Sequence, residues 1–476
     1  MAMDLHVNLV GRKDLCGEIY RQLRQAIADG RLGPGDALPP TRHLAGRLSV
    51  SRMTVSVAYE TLAAEGFVTA RVGAGTFVSE HATRRGSPFV KLQGSILRPR
   101  AVWQSIPLPT AFDRPARYDF RTGVPDALLV PHRTWRRLRA RVMRSGEGAA
   151  GVYQHPAGDP ALRAAIARHI AISRGVLTPP DAVTVTSGTQ QALDILARVL
   201  LAPGDQVAVE DPGYAPARLL FESLGIRVMG VPVDRDGLVV TAIPRRVRAV
   251  YVTPSHQYPL GVPMTLARRQ ALLSWAERHK VAIIEDDYDS EFRFGGRPLE
   301  ALQTLDGSGL VIYIGSFSKT MLPTLRLGFI VAPLSLRSAV QKAKYVSDWH
   351  TSGLVQAALA RFIDDGSYAR HIRRVGTVYR ARHALIVSTL SRDFRQHLEL
   401  VPSSTGLHVT AVASRLPPSR IVGIAQRAAD VGVAVQLWSS FTVGRSRRAG
   451  VMLGYGAIAT DDIEEGLRRL RACFRD

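Results

Sequence analysis

Lys319 sits in the run Ser316-Phe317-Ser318-Lys319-Thr320-Met321-Leu322-Pro323-Thr324, closed by Leu325-Arg326-Leu327-Gly328, directly after an apolar stretch from Leu310 to Ile314 that reads as a buried strand. A lysine held at the end of such a strand can form a Schiff base with an aldehyde. Ser316, Ser318 and Arg326 offer the hydrogen bonds and positive charge that a phosphate ester needs. Together they suggest pyridoxal 5'-phosphate as a cofactor. The same residues also suit a surface lysine after a core strand, with Arg326 in a salt bridge.

Three further segments could contribute to the same chemistry. Ser187-Gly188-Thr189-Gln190 closes one strand and opens a helix, so backbone N–H groups and the positive helix end could bind a phosphate, although the sequence also serves as an ordinary cap. Glu285-Asp286-Asp287-Tyr288-Asp289 crowds carboxylates at the end of the apolar run from Val281 to Ile284. Such crowding is costly without a cation; a protonated pyridine nitrogen is one candidate and a metal ion the rival. Asp211-Pro212-Gly213-Tyr214 supplies an aromatic ring able to stack on a cofactor or simply to pack in a core.

These segments need a frame. From about Tyr118 onward, short apolar strands at 182–186, 206–210, 226–231, 249–253, 281–285 and 311–314 alternate with helical stretches, one of them starting at Gln190. That alternation predicts an α/β domain with a mainly parallel sheet and helices on both faces, in which ligands gather at the strand ends.

The first eighty residues read differently. Leu15, Ile19, Leu23 and Ile27 recur every four residues, predicting an amphipathic helix over 15–28 ended by Asp29-Gly30. Thr41 is placed to cap a second helix to Leu48, in which small Ala45 and Gly46 permit close approach, and Ser51 to cap a third to about Ala64. Residues 67–71 and 76–78 then alternate like strands around Val72-Gly73-Ala74-Gly75, a β-hairpin wing. The third helix carries Ser51, Arg52, Thr54 and Ser56 near its N-terminus, the end that enters a major groove in a helix-turn-helix. A small helical domain with a solvated polar face is the alternative. Between 81 and 117 the hydrophobic period disappears while Arg84-Arg85, Ser87-Pro88, Arg98-Pro99-Arg100, Pro107, Pro109 and Pro115 accumulate, which predicts an extended linker.

The 476 residues are too many for one ordinary domain. Their net charge of +22 is spread unevenly: residues 1–80 carry nine Lys and Arg against eight Asp and Glu, 81–117 seven against one, and the remainder 46 against 31. A polyanionic partner is thus favoured, but its contact surface is not located. Cys16 and Cys473 allow no disulfide framework or zinc spacing, and neither an apolar leader nor a run long enough to span a bilayer is found. A reducing cytoplasm is the expected compartment.

Leu38-Pro39-Pro40-Thr41-Arg42-His43-Leu44-Ala45, Val50-Ser51-Arg52-Met53-Thr54-Val55 and Gly73-Ala74-Gly75-Thr76-Phe77-Val78 together resemble the winged helix-turn-helix of GntR-type transcription regulators. That resemblance covers residues 14–80 and implies that Arg42, Ser51, Arg52 and Thr54 face DNA, with Arg71 and Gly73 along the minor groove or backbone. Residues 118–476 resemble fold-type I pyridoxal phosphate enzymes of the aspartate aminotransferase class, which implies a smaller C-terminal α+β subdomain. By this likeness Lys319 carries the cofactor as a Schiff base, Asp286 pairs with the pyridine nitrogen and Tyr288 bonds the ring hydroxyl. Tyr214 stacks on the ring, and Ser187, Gly188, Thr189, Ser316 and Arg326 hold the phosphate.

Two departures stand out. Tyr258-Pro259-Leu260-Gly261 replaces the usual Asn-Pro-Thr-Gly, and no clear equivalent of the arginine that clamps a substrate carboxylate is found near Val451-Met452-Leu453-Gly454-Tyr455, although Arg445, Arg447 and Arg448 lie upstream. Reader, linker and aminotransferase-like domain in that order resemble the MocR subfamily. The resemblance implies a homodimeric, cytoplasmic regulator that binds a double-stranded DNA operator. An amino compound or a B6 vitamer, sensed by the large domain, would reposition its winged helices. A working aminotransferase that also binds DNA, and a binding protein that has lost the cofactor, are the alternatives.

Overall fold

The computed structural model describes residues 7, 9, 14–71, 73–80, 98–108, 116–146, 152–295, 300–413, 415–444 and 448–475. They divide into two compact units, Met1–Pro99 and Arg100–Asp476.

In the first unit, helix Leu15–Ala28 starts at Asp14, whose carboxylate accepts from the Gly17 N–H at 3.2 Å, and stops at Asp29 before Gly30 at φ 80°. Its buried stripe of Ile19, Leu23 and Ile27 packs on Leu44, Val55, Ala58 and Leu62 of the next two helices, Thr41–Leu48 and Arg52–Ala64. Val68–Arg71 and Gly75–Val78 pair antiparallel as the wing, with Gly73 at φ 76° in the turn and the Ala74 N–H closing it onto the Arg71 carbonyl at 3.0 Å. Val72 lies outside the described residues. Two local expectations are corrected. Pro40, not Thr41, holds the N-cap position of the second helix, because its ψ of 138° is extended while its carbonyl accepts the Leu44 N–H at 3.0 Å, and Thr41 already belongs to the helix. Gly46 is exposed with no neighbouring atom in reach, so Ala45 alone makes the close approach.

The second unit is built on an eight-stranded sheet in the order 183–186, 328–331, 311–316, 282–287, 247–252, 206–211, 227–234, 237–238. The five neighbouring strands Val311–Ser316, Ala282–Asp287, Val247–Val252, Gln206–Asp211 and Arg227–Asp234 run parallel. The sequence reading did not include Gly328–Val331, which runs antiparallel between Val311–Ser316 and Val183–Thr186. It is only four residues long and follows the lysine loop directly, so only the short 3-10 turn Pro323–Leu325, and no α-helix, separates it from its neighbour. Apolar clusters cover both faces of the sheet. The chain then runs through the long helix Ser367–Asp393 into an α+β subdomain, where an antiparallel sheet centred on His408–Ala413 and Ala449–Gly454 packs against helices Pro418–Asp430 and Ile463–Ala472.

Of the expected linker, Arg84, Arg85, Ser87, Pro88, Pro109 and Pro115 lie outside the described residues. Its later part is not simply extended: Val102–Ser105 forms one helical turn near the helix Ala215–Ser223. Part of the surplus charge is now located. Helix His132–Ser145 buries Trp135, Leu138 and Val142 while exposing Arg133, Arg136, Arg137, Arg139, Arg141 and Arg144. Among the described residues no helix is long and apolar enough to cross a membrane.

Candidate functional site: a lysine pocket and an exposed helix N-terminus

A pocket of about 850 Å³ opens at the carboxyl ends of the parallel strands, where an α/β sheet presents its ligands. Lys319 reaches into it from the loop after Val311–Ser316, and its Nζ donates to the Gly123 carbonyl at 2.7 Å. Burial holds this amine below the ordinary lysine range, opposed by the nearby charges of Asp289 and Asp286. A lysine so placed reaches its neutral, nucleophilic form more readily than one in water.

Asp286, at the end of Ala282–Asp287, faces the same pocket. Its Oδ2 accepts from the Tyr251 hydroxyl at 2.8 Å, while its Oδ1 is buried with no partner among the described residues. Burial pushes the carboxyl up to about 7, with the Tyr251 bond and the Lys319 charge pulling against that rise. An unpartnered buried oxygen is expensive, and a protonated pyridine nitrogen would satisfy it.

The rest of the acid cluster finds most of its partners within the protein. Glu285 accepts the backbone N–H groups of Leu302 and Gln303 at 2.7 and 2.8 Å, Asp287 pairs with Arg174 at 2.6 Å, and Asp289 holds His256 at 3.0 Å.

The phosphate candidates divide. Thr189 opens helix Thr189–Leu200, whose N-cap Gly188 supplies no side chain, so its first N–H groups are open to an anion. Ser316 and Arg326 line the pocket beside Thr189, and the Ser316 hydroxyl accepts the Ser318 N–H at 3.1 Å. Ser187 and Gly188 do not line the pocket. The Ser187 carbonyl accepts from Arg326 Nη2 at 2.6 Å, its hydroxyl lies 3.5 Å from Thr351, and a Cβ on Gly188 would stand 3.3 Å from the Arg326 guanidinium. These two residues contact Arg326 directly. Gly328 completes the packing, since a Cβ there would meet the Gly188 Cα at 2.9 Å.

Tyr214 and Tyr258 both line the pocket, edge to face with centroids 5.8 Å apart. Tyr258, standing where an asparagine is common, bonds Thr122 Oγ1 at 2.7 Å. The Tyr288 hydroxyl lies 2.9 Å from both the His256 carbonyl and His256 Nδ1. Sequence reasoning missed Tyr251, Thr122 and the grouping of His256 and His408 with Asp289 of the acid cluster, whose side-chain ligand atoms lie within 4.8 Å of one another. Its one signal was His256 beside Tyr258-Pro259. Gly406 presses so closely on His256 that a Cβ would come to 2.0 Å of the ring, so the group is packed as a support beneath Tyr288. Burial and the neighbouring His256 push His408 down to about 3, leaving it neutral. Arg448 does not line the pocket, and Arg445 and Arg447 lie outside the described residues.

In the first unit, Arg42, Ser51 and Arg52 are exposed where the second and third helices meet, with Arg52 Nε 3.4 Å from Thr41 Oγ1. Ser51 caps the third helix through the Thr54 N–H at 3.1 Å and bonds the Thr54 hydroxyl at 2.8 Å, so both hydroxyls are partly committed within the protein. Arg71 is exposed on the wing, its guanidinium over the Phe77 ring at 5.0 Å, with Gly73 beyond it in the turn. Met53, 70% exposed on the third helix, was not singled out in the sequence.

Known proteins bear the same two parts. The family Aminotransferase class I and II matches residues 123–469, and Bacterial regulatory proteins, gntR family, matches residues 15–78. The chain is 38% identical to the probable rhizopine catabolism regulatory protein MocR of Rhizobium meliloti, over 96% of this chain and 93% of that one. It is 30% identical to the pyridoxine biosynthesis transcriptional regulator PdxR of Corynebacterium glutamicum, over 94% and 93%. Among solved structures, the α-aminoadipate aminotransferase LysN of Thermus thermophilus, complexed with N-(5'-phosphopyridoxyl)-L-leucine, is similar over 79% of this chain and 96% of its own, with a TM-score of 0.72 and 29% identity. The chain belongs to the MocR-type GntR regulators, in which a helix-turn-helix domain is joined to a fold-type I aminotransferase domain.

Proposed function

We propose that this regulator holds pyridoxal phosphate on Lys319 and that an amino compound or a B6 vitamer, acting at that pocket, alters how a homodimer grips paired DNA half-sites. The observation that carries the reading is the pairing, in one pocket, of a lysine amine with a buried carboxylate oxygen that lacks a partner. When bound, the cofactor supplies an aldehyde that captures amines and a ring that withdraws electrons.

Each residue then has a defined task. Lys319 offers its Nζ, and Asp286 keeps a proton on the pyridine nitrogen. Arg326, Ser316 and the open N–H groups from Thr189 hold the phosphate, and Tyr214 flanks the ring. Tyr288, fixed by His256 and Asp289, presents its hydroxyl to the ring oxygen. In the reader, Arg42, Arg52 and Thr54 meet the major groove while Arg71 and Gly73 follow the backbone, so the reader is assigned to 14–80 and the effector domain to 118–476, joined through 81–117. The PdxR relative supports a vitamer as ligand, and the phosphopyridoxyl-leucine neighbour supports an amino acid.

An aminotransferase with turnover that also binds DNA is the second reading, favoured by Lys319 as a proton carrier within the pocket. Multiple-turnover exchange between an amino acid and a keto acid decides between them. The regulator reading expects binding and a spectral change without sustained product, and steady turnover would replace it with the enzyme reading.

A further inference from the structure

A second cavity, of about 360 Å³, is lined in part by Ser290, Glu291 and Arg293, which follow the segment that carries Asp286 and Tyr288. Its walls come from three places: His169 and Ile172 on helix Pro160–Arg174, Ser290 to Arg293 after the acid cluster, and Tyr368, Ile372 and Arg373 on the long helix that leads into the C-terminal subdomain.

Its charges are unusual. Among the described residues neither Arg293 nor Arg373 has a carboxylate within ion-pair range, and Arg293 Nε is occupied only by the Gly295 carbonyl at 2.9 Å. Burial and the nearby Arg174 charge hold the Arg293 guanidinium below its ordinary range. Glu291, on the same wall, makes only long approaches, 3.9 Å to His169 Nε2 and 3.5 Å to the Tyr368 hydroxyl. One half-buried arginine, one exposed arginine and a half-buried glutamate thus face one open cavity without pairing with one another, beside buried Tyr368, half-buried Ile372 and the exposed side chain of Ile172.

We propose that this cavity is a second ligand site, built for a zwitterionic α-amino acid with an apolar side chain. The carboxylate meets Arg293 and Arg373, the ammonium meets Glu291, and the side chain rests on Ile172, Ile372 and Tyr368. The site also touches the lysine pocket's supports. Arg174 lies in its lining and holds Asp287, the neighbour of Asp286; Ser255 in its lining precedes His256, and Ser290 follows Asp289. An occupant would bias the segment that positions Asp286 and Tyr288. This coupling rests on the cofactor assignment above, whereas the site itself does not.

The test uses the full chain after borohydride reduction in the presence of pyridoxal phosphate, so that no amine can react at Lys319. L-Leucine is then titrated by calorimetry, beside 4-methylpentanoate and isoamylamine, each lacking one of its charges. The expected result is one saturable leucine site per chain, weakened at least about tenfold by Arg373→Gln and by Glu291→Gln and poorly filled by either analogue. Arg373 is exposed and Glu291 half-buried, so both variants should fold, and retention of the reduced cofactor confirms it. No saturable binding, equal binding by both variants, or loss of leucine binding in Arg326→Gln alone would overturn the proposal. If reduction fixes no cofactor, the assignment of Lys319 fails while the leucine titration still decides the second site.

Discussion

The winged helix and the lysine pocket place their candidate side chains in opposite surroundings. Arg42, Arg52 and Arg71 are exposed and lie close in sequence to the turns that aim them. Asp286 and Tyr251 are buried, and the pocket around them gathers Thr122, Tyr214, Lys319 and Gln436 from distant parts of the chain. In water-exposed sites a lost charge is partly replaced by solvent, so effects are modest and additive. In the pocket the buried polar groups depend on a few specific partners, and removing one leaves another stranded.

That contrast orders the expected effects. Lys319→Ala should abolish the visible absorbance that wild type develops with pyridoxal phosphate, while DNA binding in the absence of cofactor stays as in wild type; a retained band would mean that another amine carries the aldehyde. Asp286→Asn should weaken cofactor affinity by roughly 2–4 kcal/mol, the scale for a lost buried charge partner, as read by equilibrium dialysis. The same variant sharpens the comparison through pH. The folded carboxyl of Asp286 is raised to about 7, above its unfolded value, so its stabilising contribution in the cofactor-free protein is full below the unfolded pKa. That contribution fades as pH rises and is gone above about 7. The stability of wild type relative to Asp286→Asn should therefore fall by a few kcal/mol, roughly 2–4, between pH 4 and 7 in denaturant titrations.

Effects in the reader should be smaller. Arg52→Ala should weaken duplex binding by roughly 1–3 kcal/mol and leave the cofactor spectrum unchanged. Ser51→Ala removes the cap on Thr54 N–H and should lower the stability of the first unit by about 1 kcal/mol, seen as an earlier unfolding transition. If Ser51→Ala instead harmed DNA binding more than Arg52→Ala did, the view that its hydroxyl is mainly committed to the cap would be broken.

The same contrast explains what could be read from the residues alone. Local patterns carried far: the four-residue spacing of Ile19, Leu23 and Ile27 and the cap at Ser51 were visible because helices are specified by near neighbours. The lysine loop and the acid cluster were visible because each follows an apolar strand. Tyr251 was not, since its tie to Asp286 depends on two parallel strands lying side by side in a particular register. Arg174 and Asp287 pair across distant segments for the same reason, and His256 gains meaning only once Asp289 and Tyr288 stand beside it. Gly328–Val331 escaped because a short antiparallel strand carries no α-helical spacer to announce it.

The central claim is that the lysine pocket and the DNA reader are coupled. It is tested most directly by measuring the affinity of the full chain for a duplex it selects from sheared genomic DNA, with and without pyridoxal phosphate, for wild type and Lys319→Ala. The account predicts that the cofactor, alone or with an amine, shifts wild-type affinity by about 5- to 150-fold and leaves Lys319→Ala unmoved. Equal affinities for wild type under all conditions, with the cofactor demonstrably bound, would contradict it.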